Sequence, residues 1–163
     1  MYFQKNISLK KLNTFGIDVT CKLYCKIKTE KEIFNVMNSE EYMNNQHLIL
    51  SGGSNILFLK EYEGLIIKNE IKGKEITEEK KDSTIVRVGA GENWHQFVLW
   101  SIKNHLFGLE NLALIPGNVG ASPMQNIGAY GVEVKDFIVS VEGVNLETKE
   151  HFILNNSECN FEY

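Results

Sequence analysis

The chain has 163 residues, of which 43% are hydrophobic and 23% charged, with a formal net charge of -4. That is the length of one domain or of two small lobes with a real core, and it excludes a disordered tail, a repeat array and a collagen-like chain. The 17 basic residues include a single arginine, Arg87, and the lysines form no block or stripe, which argues against nucleic acid as a partner.

The opening segment, MYFQKNISLKK, carries no apolar signal-peptide core. No later run approaches the roughly 20 apolar residues of a membrane span, so a cytoplasmic protein without membrane association, expected to be a monomer, follows. Cys21, Leu23, Cys25 and Ile27 alternate with Lys22, Tyr24, Lys26 and Lys28, the pattern of a half-buried strand. Cysteines four apart on a strand are about 13 Å apart and can neither pair nor share a metal ion. They read as small residues of a core face.

Thr29 followed by Glu32 matches a capping box, and Ile33, Val36 and Met37 share a face, so a helix is expected from about Thr29 to Asn44. His47 to Leu50 is a short apolar run opening into SGGSN. Apolar Ile56 to Leu59, a turn near Gly64 and Leu65 to Ile67 complete a first lobe, residues 1–67. The polar stretch from Lys68 to Ser83 begins a second lobe, residues 68–163, and its charge run from Glu78 to Asp82 reads as a solvated turn. TIVRVGAG reads as a strand, and Asn93 caps a helix in which Trp94, Phe97, Val98 and Ile102 share a face. Phe137 to Val144 and His151 to Leu154 read as a hairpin around a turn near Glu147 to Lys149.

Two glycine-rich loops carry the chemistry. In LILSGGSNIL, Gly52 and Gly53 allow positive φ and successive N–H groups in one concavity, while Ser54 and Asn55 add side-chain donors. This is phosphate-cradle chemistry, but neither a P-loop nor a dinucleotide fingerprint is present, and by itself a GGSN turn is more often a plain turn than a cradle. The second loop, PGNVGASPMQNIGAYG from Pro116 to Gly131, holds both prolines and four of the 13 glycines. Such a density of backbone specialists specifies a defined irregular path, which is either functional or a structural Ω-loop. From Leu106 to Val134 there is no lysine or arginine, so any anion held there is held by dipoles, each donor contributing about 1.5 to 3 kcal/mol. The amides of Gln125 and Asn126 suit the imide and carbonyl edge of a flavin.

These motifs carry a resemblance. LNTFGID at Leu12 to Asp18, SGGSNILFL at Ser51 to Leu59, VGAGENWHQFV at Val88 to Val98, GLENLALIPGNVGASPMQNIGAYGVE at Gly108 to Glu133 and ECNFEY at Glu158 to Tyr163 together resemble the N-terminal part of the UDP-N-acetylenolpyruvoylglucosamine reductase family. The resemblance implies an α+β fold, a two-lobed FAD-binding module of the vanillyl-alcohol-oxidase (PCMH) type with FAD clamped between the lobes, and a third, substrate-binding lobe that these residues do not include. It implies that Gly52, Gly53, Ser54 and Asn55, with the backbone of Pro116, Gly117, Asn118, Val119, Gly120, Ala121 and Ser122, surround the FAD pyrophosphate. Gln125, Asn126, Ile127 and Gly128 are implied along the isoalloxazine, with Tyr130 on the substrate side and the Thr14 to Gly16 turn near the adenine lobe.

The implied reaction uses NADPH to reduce FAD, whose N5 passes hydride to the enolpyruvyl double bond of a UDP-sugar, giving UDP-N-acetylmuramate for peptidoglycan. An arginine and a glutamate would stabilise the enolate-like charge and a serine would donate the final proton. The family pattern places all three beyond Tyr163, and Arg87 matches none of them. Rival readings are a non-catalytic flavin-binding remnant and a flavin oxidase of the same fold; QNIGAYG favours the reductase. No histidine or cysteine lies in either loop to attach FAD covalently, so noncovalent FAD is expected. No zinc-site spacing occurs among His47, His95, His105 and His151, no serine sits in a GxSxG elbow, and no metal is expected.

Overall fold

A computed structural model describes residues 2–162, so Tyr163, the last residue of the ECNFEY motif, lies outside the described residues. The chain divides into two compact units, Met1–Ile71 and Lys72–Tyr163. No helix among the described residues is long and apolar enough to cross a membrane.

The first unit is built on a four-stranded sheet. Strand β1 (Gln4–Ser8) runs antiparallel to β2 (Thr20–Ile27), and two short helices, α1 (Glu30–Met37) and α2 (Glu40–Met43), lead to β3 (His47–Leu50) and β4 (Tyr62–Asn69). The spatial order is β1-β2-β4-β3, with β4 parallel to both of its neighbours. Thr29 Oγ1 accepts the Glu32 N–H at 3.3 Å, and the Glu32 carboxylate accepts the Lys28 N–H at 2.6 Å, so the expected cap forms with its return bond one residue early. The single helix expected to Asn44 is instead two. Asn38 ends the first, and Ser39 starts the second by accepting the Tyr42 N–H at 3.2 Å.

A second correction concerns β2. Tyr24 is 3% exposed although the alternation put it on the polar face, because a strand inside a sheet covered on both sides is buried on both. Cys21 does not share a face with Leu23, Cys25 and Ile27. It packs with Leu9, Tyr24, Leu50, Phe58 and Ile66, whereas the other three pack with Val36, Leu65 and Ile67. The flip occurs at Lys22. Asn6 of β1 sits at φ +54 there, and on the other side the pairing steps from Cys21↔Tyr62 to Leu23↔Leu65, one residue more on β4. This bulge replaces the turn expected near Gly64. A Cβ at Gly64 would stand 2.4 Å from the Gln46 carbonyl oxygen, which takes the Leu65 N–H at 2.8 Å. Burial pushes the Cys25 thiol up to about 12, with Glu32 and Glu41 adding to the effect, so it is an inert core group.

In the second unit, β5 (Lys74–Glu79) pairs antiparallel with β6 (Thr84–Val88). The polar stretch had concealed β5, since a strand of an exposed ribbon needs no apolar alternation. Helix α3 (Trp94–Lys103) starts as expected, Asn93 Oδ1 accepting the Gln96 N–H at 3.0 Å. Trp94, Phe97 and Val98 form the core with Leu112 and Val134. Strands β7 (Gly128–Ala129) and β8 (Val132–Glu133) make a small hairpin, and β9 (Ser140–Val144) with β10 (His151–Asn155) make the expected one. Its first strand begins at Ser140 rather than Phe137, because residues Val134–Asp136 form a 3-10 turn.

Candidate functional site

The first loop leaves β3 and returns to β4 in the parallel part of the sheet, the end at which α/β sheets place ligands. It is held from below by the Leu12–Gly16 segment. Asn13 is 7% exposed, and its side chain donates to the Leu9 and Ile17 carbonyls at 2.8 and 3.0 Å while accepting the Ile17 N–H at 3.0 Å. This clamp presents the Leu12 carbonyl to Gly53, where a Cβ would meet it at 2.0 Å, and Gly53 also sits at φ +69. Two separate reasons therefore require glycine. Thr14 completes the connection with its N–H on the Gly53 carbonyl at 3.0 Å.

With Gly53 so fixed, the loop leaves its donors uncommitted. Among the described residues no protein group accepts the N–H of Gly52, Gly53, Ser54 or Asn55. The Ser51 hydroxyl is buried without a hydrogen-bond partner among the described residues. Buried polar groups are nearly always paired, so an orphan beside four open N–H groups fits an anionic group such as the phosphates of a flavin nucleotide. Sequence reasoning missed Ser51, whose burial is a tertiary fact, and it missed Lys68, whose ammonium reaches from β4 to the Ser51 carbonyl.

The second loop is organised differently. The N–H groups of Val119 and Gly120 donate to the carbonyls of Glu92 and Ala90, both at 2.9 Å, and those of Ala121 and Ser122 donate to Asn118 and Val119, both at 3.0 Å. A Cβ at Gly120 would come within 2.5 Å of the Ala90 Cβ. Pro116, Gly117 and Asn118 lead into this packed turn, and the Asn118 amide donates to the Gly91 carbonyl at 3.2 Å. Asn126, 2% exposed and left-handed at φ +41, donates to the Glu133 carboxylate at 3.0 Å and accepts the Lys135 N–H at 3.1 Å. Its side chain thus braces the loop. The Lys135 ammonium and the Asn126 amide hold the Glu133 carboxyl below its ordinary range.

Met124 is 82% exposed, Gln125 is exposed and Ile127 packs toward the unit's core. Gly128 enters the small hairpin whose two-residue tip is Tyr130 and Gly131, at φ +53 and +78, a type I′ arrangement. Tyr130 projects from that tip 88% exposed. Among the described residues no three His, Cys, Asp or Glu side chains gather as a metal site requires.

Comparison with known proteins agrees with this chemistry. Residues 21–150 match the family model described as FAD binding domain. Over all 163 residues the chain is 48% identical to the UDP-N-acetylenolpyruvoylglucosamine reductase of Flavobacterium johnsoniae, spanning 48% of that protein. Over 160 residues it is 46% identical to the protein of that name from Bacteroides fragilis strain YCH46, again spanning 48% of it. The chain thus spans about half the length of these curated relatives. The crystal structure of UDP-N-acetylenolpyruvylglucosamine reductase from Thermus caldophilus superposes with a TM-score of 0.78 at 23% identity, covering 99% of this chain and 56% of that one. The fold is accordingly the α+β, vanillyl-alcohol-oxidase type expected from the motifs, and the chain belongs to the FAD-binding domain family.

Proposed function

We propose that these residues are the FAD-binding part of an NADPH-using reductase that converts UDP-N-acetylglucosamine enolpyruvate to UDP-N-acetylmuramate. The proposed lobes, residues 1–67 and 68–163, each carry one glycine-rich loop suited to FAD, which would be held noncovalently. Bound FAD would supply hydride-transfer chemistry between NADPH and the enolpyruvyl sugar. The residues described here bind and orient. Gly52, Gly53, Ser54 and Asn55 offer their N–H groups to phosphate oxygens, with Ser51 adding a hydroxyl. The packed turn from Pro116 to Ser122 supplies a fixed wall, and the Gln125 amide borders the flavin ring with the backbone of Asn126, Ile127 and Gly128, since the Asn126 amide expected at the ring edge is spent on Glu133 and Lys135, with Tyr130 toward the substrate. The resemblance matches none of these residues to the arginine, glutamate and serine of the reaction, so the role proposed for them is cofactor binding.

The observation that carries this reading is the run of N–H groups at residues 52–55, uncommitted among the described residues, next in the chain to the Ser51 hydroxyl, which is buried and has no partner there. It is tested by titrating FAD into the purified chain and following flavin fluorescence, then precipitating the complex with acid. Saturable quenching and a yellow supernatant are expected. Colour retained in the pellet would mean a covalent link and sink the reductase assignment, and the absence of binding would remove the cofactor reading altogether.

A further inference from the structure

The residues that start α3 also hold the segment leading into the second loop. The Trp94 indole N–H donates to the Leu112 carbonyl at 2.7 Å, and the Trp94 main-chain N–H donates to the Gly117 carbonyl at 3.1 Å. Between these anchors the Leu114 N–H donates to Nδ1 of His95 at 3.2 Å. Leu114 itself is left-handed, at φ +64, with its side chain 77% exposed. A leucine is disfavoured in that region because its Cβ crowds the following carbonyl, and a side chain so exposed gains little packing in return. Such a conformation persists where its surroundings over-determine it. Pro116 restricts Ile115 to extended backbone, so a direction set at Leu114 passes directly into Gly117 and Asn118.

We infer that His95 is a positioning residue: by accepting the Leu114 N–H through Nδ1 it holds Leu114 left-handed and aims the Pro116–Ser122 path. The effect on cofactor binding rests on the FAD reading above; the coupling of His95 to Leu114 does not. Acceptance through Nδ1 leaves the ring hydrogen on Nε2.

Asparagine presents its amide oxygen near the position of Nδ1, whereas glutamine presents its own near Nε2. His95→Ala is therefore expected to weaken FAD binding by about two- to tenfold, the worth of one hydrogen bond. His95→Asn recovers affinity to within about twofold of the parent, and His95→Gln does not. The titrations are run on the 163-residue chain below the melting temperature of every variant, with the fine structure of the bound-flavin absorption band recorded. A general loss of stability would leave that band unchanged, while a misaimed loop blurs it. Parent-like binding by His95→Ala, or equal behaviour of the Asn and Gln variants, overturns the inference.

A second arm needs no flavin. Leu114→Gly removes the left-handed strain, so nothing is recovered there when the bond is lost, and His95→Ala should shift the urea midpoint more in that background than in the parent, where Leu114 can relax; equal shifts, meaning that Leu114 stays left-handed without His95, overturn the inference. If the parent takes up no FAD, the cofactor reading has failed and this unfolding cycle alone decides the role of His95.

Discussion

In the loop between β3 and β4 the N–H groups of Gly52, Gly53, Ser54 and Asn55 meet no acceptor among the described residues, while in the loop of the second unit those of Val119, Gly120, Ala121 and Ser122 donate to nearby carbonyls. Both segments look alike in composition, rich in glycine, serine and asparagine. The difference lies in what anchors them. The first is held through its carbonyls, Gly53 to Thr14 and Ser51 to Lys68, and by close approach to Leu12, so its donors stay available. The second is sewn to residues 90–92, which leaves a fixed path with Met124, Gln125 and Tyr130 exposed. Glycine content alone does not make a phosphate cradle; uncommitted donors do.

The most forceful way to break this contrast is to place a methyl group under each loop. Gly53→Ala sets a Cβ 2.0 Å from a main-chain oxygen at φ +69, and is expected to cost roughly 3–5 kcal/mol in urea unfolding and to abolish FAD binding. Gly120→Ala meets Ala90 at 2.5 Å without positive φ, and should cost about 1–3 kcal/mol with a partial loss of affinity. Equal costs would show that the first loop is no more constrained than the second.

A smaller effect should come from Glu92, which anchors the second loop through its carbonyl while its carboxylate accepts from Lys74 at 2.8 Å and from the Gly73 N–H at 3.0 Å. Burial raises its pKa, but Lys74, the Gly73 N–H and Lys72 outweigh that and leave it below the ordinary carboxylate value. A lowered folded-state pKa stabilises the protein above the unfolded value, and this contribution is lost as pH falls through the folded one. Glu92→Gln should then be about 1–2 kcal/mol less stable near neutrality, with the gap to the parent closing on acidification. A pH-independent gap in denaturant titrations would mean that the ion pair contributes nothing and packing alone holds residues 90–92.

The smallest effect, and the sharpest for the first loop, is Ser51→Ala. Removing a buried hydroxyl that has no partner should leave the free protein as stable or up to about 1 kcal/mol more stable, while FAD affinity falls about three- to tenfold. Thermal melting with and without FAD separates the two. Lower stability without any change in binding would mean that the hydroxyl serves the protein and not a ligand.

Local signals were legible wherever one short segment decides the outcome. The Thr29 and Asn93 caps, the β9–β10 hairpin and the irregular course of the second loop all follow from side chains competing for nearby N–H groups or from proline and glycine restricting φ. The two loops, and with them the candidate site residues, could be located on the same grounds. What the residues alone could not reveal were events between segments distant in sequence. Strand β5 reads as polar because only its partner β6 makes it a strand. Cys21 leaves its expected face because Asn6 and the extra residue of β4 meet at Lys22.

The same division runs through the site. Sequence by itself determined that the chain would carry two glycine-rich turns with neutral donors, since φ preferences and hydrogen-bonding groups belong to single residues. Tertiary structure decided which donors remain uncommitted, because an N–H is committed only when an acceptor is brought to it, as Ala90 and Glu92 are brought to the second loop and, among the described residues, none is brought to the first.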